Sequence, residues 1–420
     1  MSQSQISAER LSLPKDRIKI LLLEGIHDTA VQMFEQDGYS NITRLKGALD
    51  GDNLAEALKG VHILGIRSRT QLTDEVFAAA DRLLTVGCFC IGTNQVNLTA
   101  ARDAGIPVFN APYSNTRSVA ELSIGEMIML MRGIPDKSAA AHRGVWDKSA
   151  AGSNEMRGKT LGIVGYGNIG SQLSVLAEMF GMHVVYWDTQ AKLPHGNAQP
   201  AESLEALLAT SDVVSLHVPE TLDTFGMIGR AELATMKSGA ILINNARGTV
   251  VDLDALAQSL RDGHLAGAAV DVFPVEPASN KERFTTPLQG LPNVILSPHV
   301  GGSTEEAQAR IGQEVARKLI EYSDTGTTAG AVNFPQVQLP ARHSGTRYMH
   351  THRNAPGILT RINDVFARRN LNIAAQFLQT DGDLGYVVVE ADDAQVDSEA
   401  VLDELRTLPG TVRARLVFER

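Results

Sequence analysis

Arg247 in NNARGTVVD, Glu276 in DVFPVEP and His299 in LSPHVGGST each lie at or just past a short apolar run, and together they could oxidise an alcohol beside a carboxylate. An arginine holds a carboxylate through a bidentate charged pair. A histidine takes the hydroxyl proton as hydride leaves, and a carboxylate beside the imidazole fixes its tautomer and favours its charged form. Taken singly, each has a plainer reading: a surface-pairing arginine, a solvated glutamate before proline, a histidine before a glycine turn. Their shared placement favours convergence, because ligands of an open parallel sheet sit beyond the carboxyl ends of its strands.

A hydride needs an acceptor, and LGIVGYGNIG (161–170) supplies a place for one. An apolar strand runs into Gly165-x-Gly167-x-x-Gly170 and on into a helical pattern through Asn168 and Ile169. Glycines at this spacing allow a tight turn, close backbone approach to a pyrophosphate and close helix–strand packing. The next β-type run, 183–187, ends on Asp188, where an acid can bind an adenine ribose hydroxyl and repel a 2′-phosphate. The pattern implies NAD rather than NADP.

These residues need two layered sheets to position them. From Ile18 to Phe109 short β-type runs alternate with helical patterns (IKILLLE, HDTAVQMFEQDG, VHILGIRSR, DEVFAAA, LLTVGC, LTAARDAG, PVFN), which predicts a parallel sheet covered by helices. Asn115 to Met131 reads as a long helix, with Ser114, Asn115, Thr116 and Ser118 offering capping oxygens. A second α/β unit starts near Thr160 and continues through apolar runs at 213–218, 240–245, 266–273 and 293–298. A helix over 303–323, striped by Ala307, Ile311, Val315 and Leu319, suggests a return to the first unit. NFPQVQLP (333–340) has two prolines and no periodicity and is expected to be a linker. Beyond it, strands at 347–352, 372–379, 385–390 and 412–418 with helices at 356–369 and 398–407 predict a small βαββαβ unit.

Composition narrows the partners. The 420 residues suggest two or three domains. A formal charge of −10 without a Lys/Arg run argues against nucleic acid, and a polar N-terminus without a long apolar helix argues against a membrane and for the cytoplasm. Cys88 and Cys90 alone support neither disulfides nor a metal site and read as buried small hydrophobes.

GYGNIG, NNARGTVVD, DVFPVEP and SPHVGGST resemble the signature blocks of D-isomer-specific 2-hydroxyacid dehydrogenases. RSRT (67–70), GCFCIGTNQV (87–96), NAPYSNTRSVAEL (110–122), AHRGVW (141–146) and the C-terminal unit are similar to the branch with a C-terminal ACT regulatory domain. The resemblance implies a fold of two doubly wound parallel-sheet α/β domains plus a βαββαβ ACT domain. Residues 1–111 and 300–335 would form a discontinuous substrate domain, 112–299 a Rossmann NAD domain, 336–345 a linker and 346–420 the ACT domain. It assigns Arg247 as substrate anchor, His299 as proton carrier and Glu276 as its partner. Cofactor contacts fall on Gly165, Gly167, Asn168, Ile169, Gly170, Asp188, Asn245, Ala246, Arg247, Asp271, His299, Val300, Gly301 and Gly302.

The substrate it implies is 3-phospho-D-glycerate, held by Arg67, Ser68, Arg69 and Asn115, with Lys46 and Lys148 as further charges. Two guanidinium groups at a strand end can clamp a phosphate. The effector it implies is L-serine, at His352, Asn354, Gly357 and Asn372. A helix start near Pro356-Gly357 offers backbone N–H groups for a carboxylate, and asparagines suit a zwitterion. An expected homotetramer would use the ACT sheet edge and Trp146. The rival class is a binding protein of the C-terminal binding protein co-repressor kind, which keeps an NAD site; the nearer rivals are dehydrogenases for formate, glycerate or another 2-hydroxy acid.

Overall fold

A computed structural model describes residues 10–11, 13–277, 281–340, 345–392 and 397–419; the remainder, including part of the expected N-terminal domain and positions 341–344 of the expected linker, lie outside the described residues. The chain divides into two compact units, one made of Asn115–Ala307 and the other of the segments before and after it.

The first and last segments share a unit with two sheets. One has five parallel strands, ordered Ile42–Arg44, Ile20–Leu22, Ile63–Ile66, Thr85–Cys88, Val108–Asn110. Its central strands are buried along their whole length, as a sheet covered on both faces requires. The helix Glu305–Thr325 lies against it: Val315 and Leu319 are buried beside Gly87, where a β-carbon would meet both side chains at 2.7 Å. The expected stripe Ala307, Ile311, Val315, Leu319 is the buried face.

The second sheet is antiparallel, in the order Arg10–Leu11, Thr411–Glu419, Thr346–Arg353, Leu384–Asp392, Asn372–Asp381, with Ile358–Arg368 and Ser398–Thr407 as its helices. This is the anticipated βαββαβ plan with one addition. The Arg10–Leu11 strand covers one sheet edge and leaves Asn372–Asp381 as the other. Carbonyls at the C-terminal end of helix Glu305–Thr325, which have no partner further along the helix, accept from this sheet: Ser323 O from Arg415 at 2.6 Å and Thr325 O from Arg347 at 2.9 Å. Just beyond, Gly326 O accepts from Tyr386 Oη at 2.7 Å.

Residues 333–340, the described part of the expected linker and the stretch before it, are packed. Asn333 Oδ1 accepts from Val108 N at 2.8 Å, and Phe334, Val337 and Leu339 are buried in the unit's core. The segment lacks periodicity because it packs as irregular chain. Cys88 is buried and Cys90 half-buried, and burial pushes both thiols up, Cys90 to about 11.

Asn115–Ala307 contains a seven-stranded parallel sheet: Val294–Leu296, Gly267–Val270, Ile241–Asn244, Val213–Leu216, Thr160–Val164, His183–Trp187, Gln199–Pro200. Strand order reverses direction between Thr160–Val164 and Val213–Leu216, which opens a crevice at their carboxyl ends. Helix Thr116–Met131 packs on the sheet with Ala120, Ile124, Met127 and Leu130 in its core. Its N-cap is Asn115, whose side chain makes no capping bond, and Ser118 Oγ meets Thr304 Oγ1 at 2.8 Å. Among the described residues no helix is long and apolar enough to cross a membrane.

Candidate active site

The glycine turn is built at the order reversal. Gly165 has φ +92°, and a β-carbon there would lie 2.6 Å from His217 O on the neighbouring strand end; one on Gly170 would lie 2.3 Å from Gly165 O. Gly167 faces open space at the start of helix Asn168–Met179, which leaves room for a diphosphate against the free N–H groups of the first turn. Asp188 directly follows the next strand, His183–Trp187, accepting Tyr166 N through Oδ2 and Gln190 N through Oδ1, both at 2.9 Å. The acid is thus tied to the glycine turn, and the residues present fit NAD. Asp188→Asn, which keeps an acceptor and removes the charge, is expected to narrow the preference for NAD over NADP by roughly tenfold or more; kcat/KM for the two cofactors checks it, and an unchanged ratio removes Asp188 from the ribose site.

Arg247, Glu276 and His299 come together on three loops of the same unit. Imidazole Nδ1 lies 2.9 Å from Glu276 Oε2, while Glu276 Oε1 accepts from Phe273 N at 3.1 Å. Gly248 allows the Arg247 loop to touch the Phe273 loop, since a β-carbon would lie 2.0 Å from Phe273 C. The Glu276 bond raises the His299 pKa above its ordinary value; burial and the Arg247 charge oppose this, while the charges of Glu276 and Asp271 add to it. Burial pushes Glu276 up, but the bonds from His299 and Phe273 N and the charges of His299 and Arg247 outweigh it and hold the carboxyl below its usual range. With Nδ1–H assigned to the carboxylate, Nε2 is the nitrogen left for a substrate.

The His299 loop is strained and held. His299 has φ +55°, uncommon for a side-chain-bearing residue. Its N–H donates to Asp271 O at 2.8 Å, and the buried Asp271 carboxylate accepts from Ser297 Oγ, Val300 N and Gly301 N at 2.6, 2.9 and 2.7 Å. Asp271 therefore shapes the loop, a role that its position in the sequence does not reveal. Gly302 is close-packed against the Asn115 amide. Asn244 Nδ2 clamps Arg247 O at 3.0 Å and Asn244 Oδ1 accepts from Ala246 N at 3.1 Å. The Asn245 side chain points into the protein, to Ser123 and Glu126.

The remaining candidates belong to the other unit or stand apart. Arg67, Ser68 and Arg69 follow the strand Ile63–Ile66. The Glu24 carboxylate, on a residue with φ +59°, gathers the N–H groups of Arg67, Arg69 and Thr70 at 3.1, 3.0 and 2.9 Å. Neither guanidinium makes an ion pair among the described residues. Sequence reasoning missed Glu24, whose only signal is a carboxylate closing an apolar run. Lys46 and Lys148 are exposed and fall in different units. His352 is buried beside His350, their Nδ1 atoms 3.3 Å apart; Asn354 Nδ2 donates to Gly382 O at 3.1 Å, and Gly357 is the left-handed N-cap of Ile358–Arg368. Asn372 begins the outer edge strand, separated from the His352 strand by Leu384–Asp392.

A model of the D-isomer specific 2-hydroxyacid dehydrogenase NAD binding domain matches residues 124–301. The D-3-phosphoglycerate dehydrogenase of Haemophilus influenzae is 57% identical over 409 residues, covering 97% of this chain and 99% of that protein. The chain belongs to the D-3-phosphoglycerate dehydrogenase family. Its relative of that name from Escherichia coli K12 is 56% identical over 409 residues, 97% of this chain and 100% of that protein. A D-lactate dehydrogenase of Aquifex aeolicus, solved with NAD and lactic acid, matches with TM-score 0.64 at 25% identity over 76% of this chain and all of that one. Residues 348–413 match an AHAS small subunit-like ACT domain. As a member of the D-3-phosphoglycerate dehydrogenase family the protein is an NAD-dependent oxidoreductase, with a Rossmann-type cofactor domain and an ACT domain.

Proposed function

We propose that the protein oxidises 3-phospho-D-glycerate to 3-phosphohydroxypyruvate, the first step towards L-serine, and that L-serine inhibits it. The observation that carries the reaction is the His299–Glu276 pair beside Arg247 in a chain with these relatives. Arg247 pairs with the substrate carboxylate. His299 Nε2 takes the hydroxyl proton, and Glu276 stabilises the resulting imidazolium. NAD, when bound, supplies the hydride acceptor. In reverse, the same groups reduce a 2-oxo acid, 2-oxoglutarate being a side substrate. Arg67 and Arg69, whose guanidinium groups form no ion pair among the described residues, hold the phosphate. Serine binds at His352, Asn354, Gly357 and Asn372, supported by the ACT match. The outer edge strand Asn372–Asp381 and exposed Trp146 support a homotetramer, and the absence of a membrane-crossing helix among the described residues is compatible with a cytoplasmic enzyme.

The test is NADH oxidation across phosphohydroxypyruvate, hydroxypyruvate and 2-oxoglutarate, with and without L-serine. Turnover fastest on the first and slowed by serine supports the reading; no preference for the phosphorylated acid, or no response to serine, counts against the corresponding half. Arg67→Ala is expected to lower kcat/KM for phosphohydroxypyruvate about tenfold to a hundredfold more than for hydroxypyruvate, since only the former uses the charged bond. Equal losses on both would give Arg67 a structural role.

A further inference from the structure

Helix Thr116–Met131 carries a carboxylate where its packing calls for a hydrocarbon. Glu126 is fully buried, next in sequence to the core residue Met127. Its Oε2 accepts from Asn245 Nδ2 at 2.7 Å; the same amide nitrogen donates to Ser123 Oγ at 3.1 Å, and Ser123 in turn donates to Val119 O at 3.0 Å. Glu126 Oε1 and Asn245 Oδ1 are buried and make no hydrogen bond among the described residues. Nor does any cation there pair with Glu126. The charged group that bears on it is another carboxylate, Asp271, the residue that shapes the His299 loop.

A buried carboxyl with one unsatisfied oxygen destabilises a fold relative to an apolar side chain of similar size. What it holds is the Asn244–Arg247 turn. Asn244 clamps that turn from within, through Arg247 O and Ala246 N, and Asn245 ties it to the helix through Ser123 and Glu126. Arg247 follows two residues later. We propose that Glu126 is a positioning residue for the reaction: through Asn245 it holds the Asn244–Arg247 turn, and with it the Arg247 guanidinium, in register for the substrate carboxylate.

This rests on the reading of Arg247 as substrate anchor. The tether is tightest when Glu126 is ionised, because a charged acceptor makes the stronger bond. Burial pushes this carboxyl up to about 7, with the Asn245 amide opposing and the Asp271 charge adding to the rise. Below neutral pH the protonated acid holds Asn245 less firmly, so KM for the 2-oxo acid rises while kcat changes less. Protonation of His299 works in the other direction, favouring ketone reduction at low pH, so the two effects separate in KM and kcat.

The test uses the full chain with NADH and phosphohydroxypyruvate. Asn245→Asp sets two buried carboxyls against each other and is expected to raise KM by roughly tenfold. Adding Glu126→Gln to that variant restores a donor–acceptor pair, the glutamine amide now donating to the new carboxylate, and should return KM most of the way. Glu126→Gln alone should abolish the rise in KM below pH 7. Thermal unfolding of each variant verifies that it is folded, and recovery of the melting temperature in the double variant tests the pair independently of turnover. A double variant with KM as high as Asn245→Asp, or a Glu126→Gln enzyme whose KM still climbs at low pH, overturns the proposal. No turnover in the unsubstituted protein would overturn the dehydrogenase reading and this proposal with it, whereas turnover without rescue overturns the proposal alone.

Discussion

Replacing His299 by asparagine is expected to lower kcat in both directions by about 10²- to 10⁴-fold, the usual contribution of a positioned acid–base group, with KM changed far less. The asparagine keeps a polar side chain on the strained loop but carries no titratable proton. The flank of the pH profile should disappear with it. In the intact enzyme, ketone reduction needs imidazolium, and the Glu276 bond raises the pKa of His299 above its ordinary value. Reduction therefore falls as pH rises through that pKa, while alcohol oxidation, which needs neutral imidazole, rises over the same window. Glu276→Gln removes the anion and should move both flanks to lower pH. The measurement is kcat against pH in each direction for the two variants. A Glu276→Gln flank at the original pH would show that the 2.9 Å bond does not set the proton affinity of the histidine.

Both partners of that bond were legible in the sequence, whereas the groups that place them were not. Arg247, Glu276 and His299 announce themselves because polar residues at the ends of buried strands need a reason, and the parallel sheets announce themselves as unbroken apolar runs. The six elements of the C-terminal unit fall within a few residues of their patterns: its helices each bury one apolar stripe, and its central strands Thr346–Arg353 and Leu384–Asp392 are buried on both faces. The strand Ile42–Arg44 escaped because it is a sheet edge of three residues, half-buried at most, with no run to detect. The segment 333–340 escaped for the opposite reason: its apolar residues are buried without any period. Glu126 reads in sequence as an interruption of an apolar helix, and its partner Asn245 lies 119 residues away. Glu24 and Asp271 likewise act on backbone N–H groups, which carry no residue-type signal at all.

Arg347→Met should be among the most damaging single substitutions outside the active site. The side chain is fully buried, pairs across the antiparallel strands with Glu390, and donates to Thr325 O at 2.9 Å at the end of helix Glu305–Thr325. Removing it leaves the Glu390 carboxylate, itself only 12% exposed, without its cation, and leaves a helix-terminal carbonyl without its donor. Breaking a buried pair on one side costs about 3–5 kcal/mol, and for a unit of this size that corresponds to a fall in melting temperature on the order of 10 °C. Arg347→Met combined with Glu390→Leu removes both charges and should recover most of the loss, because an apolar pair of similar volume avoids the desolvation that the ion pair carries. Calorimetry on the single and double variants distinguishes the two sources of the effect. If the double variant melts as low as the single, the bond to Thr325 O and the packing of the guanidinium, not the charge pair, hold the C-terminal sheet to the helix end.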